Sequence, residues 1–205
     1  MEEEDDLSVL LSRSAPRIER HKTVVPLQKD DVEYSDFDRA IAIAIDEGSN
    51  SDTVVSWAAD RVLRRRKDLV VLVNVQPESK AWKASVSDAA HGKRSSEQTS
   101  DDVLQRPSQI GEEAKECCRK ILSPYAERLQ RDGFVVKGVC LIGNPKEVLV
   151  ASTNIKKPTM LIMGTHGRGT VKRYLMGSVA EYVLHHSTIP VLIVPNGMPK
   201  PVERD

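Results

Sequence analysis

The chain has 205 residues, with 30 basic and 30 acidic side chains and a formal net charge of zero. That balance argues against general binding to nucleic acid or a membrane surface, and no apolar run approaches the ~20 residues of a membrane span. The length suits one domain with extensions and enough chain to bury a core.

Residues 1–37 combine an acidic start, a Ser/Arg patch around Ser12, Arg13 and Ser14, and no sustained periodicity, which predicts a disordered tail. The patch reads as solvated tail, with a kinase site as the alternative. An acidic start also differs from the basic start of a leader peptide. Cys117, Cys118 and Cys140 fit no disulfide framework and favour a reducing compartment. The expectation is therefore a cytoplasmic protein, with the nucleus as a second location.

Residues 39–45, apolar almost throughout, predict a first strand covered on both faces. It ends in a polar turn at 46–51, and a helix follows from about 52 to 66, burying Val54, Val55, Ala58, Ala59 and Val62. The basic run at 64–67 suits the end of that helix. Residues 68–75 are a second strand, and strand, helix, strand implies a right-handed parallel unit. Between about 77 and 109 the chain is polar and reads as an insertion, either without a role or a lid over the carboxyl edge of the sheet.

A second helix is predicted over 110–131, with Ile110, Ala114, Cys117, Ile121, Tyr125 and Leu129 on one face. Pro124 should kink or divide it, and Gly133 is a candidate C-cap. Residues 134–141 form a third strand. A third helix then starts with Asn144 as N-cap, Pro145 in the first turn and Glu147 completing a capping pair. Residues 160–163 and 190–194 are the fourth and fifth strands, separated by a glycine-bearing loop and a helix over 178–186. One domain spans 38–196, and 197–205 are a tail.

That loop carries the chemistry. A strand, a glycine-bearing loop and a helix start present unpaired amides to an anion, helped by the helix dipole. The loop is not a P-loop: Gly164 and Gly169 have the spacing, but Thr170-Val171 replace the lysine and hydroxyl. It is not a dinucleotide fingerprint either, because Lys172 stands at the third glycine position. What it does contain is Gly164-x2-Gly167-x9-Gly177-Ser178.

On that spacing the chain resembles the universal stress protein family, whose ATP-binding members carry Gly-x2-Gly-x9-Gly-[Ser/Thr]. Residues 160–195 resemble the family's carboxyl-terminal block. Asp46, Ser51, Trp57 and Ala58 fall at the offsets of its opening block, especially in plant-type members. The resemblance implies an α/β, three-layer Rossmann-like fold: an open parallel five-stranded sheet in the order 3-2-1-4-5 with helices on both faces. It also implies a homodimer through the last strand and bound ATP, with or without Mg2+. Ala44, Ile45 and Asp46 would face the adenine and ribose, with Val75 behind the adenine and Met163 and Gly164 on the ribose side. Gly167, Arg168, Gly177, Ser178 and Val179 would surround the triphosphate. Asp46 can equally be a turn-forming Asx residue and Ser178 a plain N-cap.

Other chemistry is weaker. His166 has no identifiable orienting acid, and the neighbours His185 and His186 diverge around a helix, which is poor metal geometry. Ser178 lacks a nucleophile elbow. The expected function is an ATP-binding regulatory or stress-response module. The alternatives are an interaction module of the same fold acting without ATP and, last, a slow nucleotide hydrolase.

Overall fold

The computed structural model describes residues 23–25, 34–48, 50–77, 100–165 and 176–197. Its strands are β1 (Thr23–Val25), β2 (Arg39–Ala44), β3 (Asp68–Gln76), β4 (Val135–Ile142), β5 (Met160–Gly164) and β6 (Val191–Val194). The helices are α1 (Asn50–Arg61), α2 (Ser100–Arg131), α3 (Pro145–Lys156) and α4 (Ser178–His186).

The sheet order is β1-β4-β3-β2-β5-β6. From β2 to β6 the strands are parallel, so these five run 3-2-1-4-5 as expected. The sixth strand, β1, lies within the stretch expected to be tail and pairs antiparallel with β4, Thr23 opposite Cys140. Thr23, Val24 and Val25 are all β-branched and suit an edge strand. The run is too short to be told from coil until β4 offers it a partner.

Alternation in the central strands divides the core into two layers. Ile41, Ile43, Val70, Leu72 and Ile162 pack against α1 and α2. Ala42, Leu69, Val71, Leu161 and Met163 pack against α3 and α4. Side chains pointing alternately to two covered faces explain why β2 and β3 read as continuous apolar runs.

Some boundaries differ from the expectation. α1 ends at Arg61, and the basic run after it turns the chain instead of capping a helix; Arg66 there has φ 61°. The carboxylate of Asp68, fully buried, draws this turn in. It accepts from Arg39 Nε at 2.9 Å, Arg39 Nη2 at 2.5 Å and the Arg64 amide at 2.8 Å. That bond to Asp68 raises the Arg39 pKa further above its usual value, against the opposing effect of burial.

α2 is one helix that begins at Ser100, inside the expected insertion, and it passes through the exposed Pro124 undivided. Its fully buried positions are Cys118, Leu122, Ala126 and Leu129. The stripe thus lies one residue beyond the predicted Cys117 and Ile121, which are half-buried flanks. The apolar pairs 117/118 and 121/122 fit either register, and packing against β3 and β4 selects the second. Cys118 is bridged to Cys140 of β4, which corrects the expectation of three unpaired cysteines; Cys117 alone is free. Gly133 follows α2 with φ 86°, as its reading as a C-cap required. Asn144 caps α3, accepting from the Lys146 amide at 3.2 Å while its own Nδ2 donates to Glu147.

Candidate functional site

The carboxyl ends of β2 and β5, adjacent in the sheet, carry chains that depart to opposite faces: α1 covers one and α4 the other. Their divergence opens a crevice of about 370 Å³ at the switch point, within the usual range for small-molecule sites. Ala44, Ile45, Asp46, Val75, Met163, Gly164, Gly177, Ser178 and Val179 all line it. Two other expected site residues, Gly167 and Arg168, lie outside the described residues, as does His166.

The floor is apolar. Ile45 has both backbone groups engaged: its amide donates to Val73 O at 2.8 Å, and its carbonyl accepts from Asn74 Nδ2 at 2.8 Å. Its amide is therefore spent inside the fold, while its carbonyl keeps a second lone pair. Asn74, 3% exposed near the end of β3, also accepts on Oδ1 from Gln76 at 2.7 Å. The sulfur of Cys118 lies 3.2 Å from the same oxygen. In the bridged state that sulfur has no proton to give, so the approach is a packing contact.

Asp46 both shapes the turn and lines the crevice. Its Oδ1 accepts from the Gly48 amide at 3.0 Å and from Ser51 Oγ at 2.8 Å, and the Asp46 amide donates to Ser51 Oγ at 3.1 Å. This is an Asx turn closed by the first turn of α1. It fixes the carboxylate at the crevice and leaves Oδ2 without a partner among the described residues.

Across the crevice, Gly177 is the N-cap of α4 with φ −66° and ψ 147°, and Ser178 is the first helical residue instead of the cap. The Gly177 amide donates to Thr165 O at 2.7 Å, closing the ends of the loop on each other, so it is not available to a ligand. The amides of Ser178, Val179 and Ala180 have no acceptor among the described residues. These are the donors that every helix start leaves over, here at the wall of a cavity and backed by the helix dipole.

Gly164 is needed for a reason different from the expected one. A Cβ there would come to 2.2 Å from Asn50 Nδ2, so the glycine makes room for a side chain of the fold. Asn50 and Asn74 were not foreseen. Asn74 showed only as a polar residue near the carboxyl end of a buried strand, and Asn50 only as one of several polar residues in the turn at 46–51. Pro145 and Leu149 of α3, which close the far wall, gave no signal.

These features define an open α/β protein with five parallel strands and a crevice at its topological switch point, walled on one side by a helix start. The sequence model described as the Universal stress protein family matches residues 39–195, and the chain belongs to that family. It is 36% identical over 87 residues to Universal stress protein MJ0577 of Methanocaldococcus jannaschii, covering 42% of this chain and 51% of that protein. It is 28% identical over 160 residues to Universal stress protein PHOS34 of Arabidopsis thaliana, covering 76% of this chain and 61% of that protein. The chain therefore spans about half the length of the first relative and about three fifths of the second. The solved structure of MJ0577 matches with a TM-score of 0.56 at 23% identity, over 78% of this chain and 98% of that one. The Arabidopsis universal stress family protein At3g01520, with AMP bound, matches with a TM-score of 0.51 at 15% identity, over 78% and 93%. At such identities the structural likeness shows the fold.

Proposed function

We propose that this chain binds an adenine nucleotide, ATP, at the switch-point crevice and serves as a regulatory or sensing module without turnover. One observation carries the reading. Three amides at the start of α4, without an acceptor among the described residues, belong to residues that line the same crevice as the constrained Asp46 carboxylate, with an apolar floor between. Amides at a helix start suit phosphate oxygens. The Asp46 carboxylate, an acceptor only, suits sugar hydroxyls, and Val75 with the Ile45 side chain suits a flat base. Gly167 and Arg168 complete the phosphate side by the family's pattern.

Mg2+ entering with ATP would bring phosphate oxygens and waters as most of its ligands. The At3g01520 protein of this fold has AMP bound, which agrees with the ligand class. The module acts as a homodimer through the outer edge of β6.

Denaturing the purified chain and chromatographing the released small molecules tests the ligand. Recovered ATP is the expected result. An empty protein that also gives no calorimetric heat with added ATP overturns it, and ADP accumulating with time replaces the module with a hydrolase.

A further inference from the structure

We infer that the side-chain amide of Asn50 reads the sugar: its Nδ2 donates to a ribose hydroxyl and makes the crevice prefer ribonucleotides to deoxyribonucleotides. This rests on the adenine-nucleotide reading above and adds to it a residue that the glycine spacing does not include. Asn50 opens α1, is 8% exposed and lines the crevice. Its Nδ2 is buried with no acceptor among the described residues. Folded proteins seldom leave a buried amide donor unpaired, because its lost hydration is then uncompensated. An acceptor supplied by a ligand resolves that at this site.

The surroundings select the acceptor. Nδ2 lies against the end of β5, where a Cβ on Gly164 would approach to 2.2 Å. Four residues before Asn50, at the end of the neighbouring strand, Asp46 has its carboxylate fixed through Oδ1 by Gly48 and Ser51. A carboxylate only accepts and an amide N–H only donates, whereas a hydroxyl does both. A sugar hydroxyl between them gives its proton to Asp46 and accepts from Asn50, leaving neither unpaired. A phosphate oxygen would instead set its negative charge beside Asp46, and the amides of Ser178, Val179 and Ala180 already provide for it across the crevice. Removing the hydroxyl strands both Asp46 and Asn50, and sites built to bond a hydroxyl reject the analogue that lacks it.

The test is calorimetric titration of the full chain with ATP, 2′-deoxy-ATP and 3′-deoxy-ATP, for the natural sequence, Asn50→Ala and Asn50→Asp. The natural chain should bind ATP about tenfold or more tightly than at least one deoxy analogue. Both substitutions should shrink that ratio to about twofold or less while leaving the ratio of ATP to AMP affinity unchanged. Asn50→Asp keeps the side-chain volume and carries the test if the alanine variant fails to fold. A natural chain that binds all three alike, or a variant that keeps the full discrimination, overturns the role of Asn50 while the nucleotide reading stands. A natural chain that binds none of the three overturns both.

Discussion

At the scale of single residues, the close approach of Gly164 to Asn50 is the most sensitive point of the crevice. Changing Gly164 to Ala places a methyl 2.2 Å from the buried amide nitrogen of Asn50. Asn50 must move, and overpacking of this kind typically costs about 1–3 kcal/mol. Thermal unfolding of Gly164→Ala should show that loss together with weaker nucleotide binding; an unshifted melting temperature would mean that Asn50 swings away freely. Asp68, at the opposite end of β3, makes a comparable demand without touching the crevice. Replacing it by Ala leaves the Arg39 guanidinium, largely buried, and the Arg64 amide without their acceptor. Breaking such a pair costs about 3 kcal/mol or more, so Asp68→Ala should lower the melting temperature by roughly 10 °C with nucleotide affinity unaltered. The contrast between these residues also shows what sequence could reveal. Gly164 and Ser178 were legible because one spacing tied them together, and Asp46 because it closes the first apolar run at the offset of the family's opening block. Asn50 and Asn74 were not, because their importance comes from which backbone they lie against, and that is set by the packing of α1 and α2 on the sheet.

At the scale of elements, helix ends do the chemical work and helix faces set the register. Ser178 is the first residue of α4 and follows Gly177 at φ −66° and ψ 147°, a conformation that a residue before proline adopts readily. Proline is well tolerated at a first helical position, where its missing N–H had no helical partner. Ser178→Pro should therefore keep the fold and its thermal stability while removing a hydroxyl and one of the three amides that lack an acceptor among the described residues. We expect nucleotide affinity to fall about tenfold or more, since bonds to charged phosphate are worth about 1.5–3 kcal/mol each. Unchanged affinity would place the phosphates elsewhere. The Cys118–Cys140 bridge fastens α2 to β4 across 22 residues of sequence. A loop of that size constrains the unfolded chain by about 3 kcal/mol, so the double change Cys118→Ser with Cys140→Ser should lower the denaturant midpoint accordingly. Alkylating the unreduced, denatured chain should modify Cys117 alone; three modified cysteines would show that the bridge is not formed. The α2 stripe was misplaced by one residue for a related reason. Adjacent apolar pairs admit two registers, and the sheet selects between them.

At the scale of the whole molecule, the alternation of apolar strands and amphipathic helices was enough to predict the five parallel strands. A parallel sheet covered on both faces leaves continuous apolar runs that local sequence displays. The edges were less legible, because an edge is defined by what does or does not pair with it. On one side β1 covers β4. On the other, β6 pairs with β5 along one side, and among the described residues nothing pairs along the other. Val191, Leu192 and Ile193 of β6 are only half-buried. A short apolar edge of this kind invites a second strand, and a second β6 running antiparallel would supply it while burying those side chains about a twofold axis. Sedimentation velocity at micromolar concentration should give a dimer for the natural chain. Val191→Lys, which puts a charge into that contact, should give a folded monomer. Because each crevice is lined within one chain, that monomer should still bind nucleotide. A natural chain that sediments as a monomer would remove β6 as an interface.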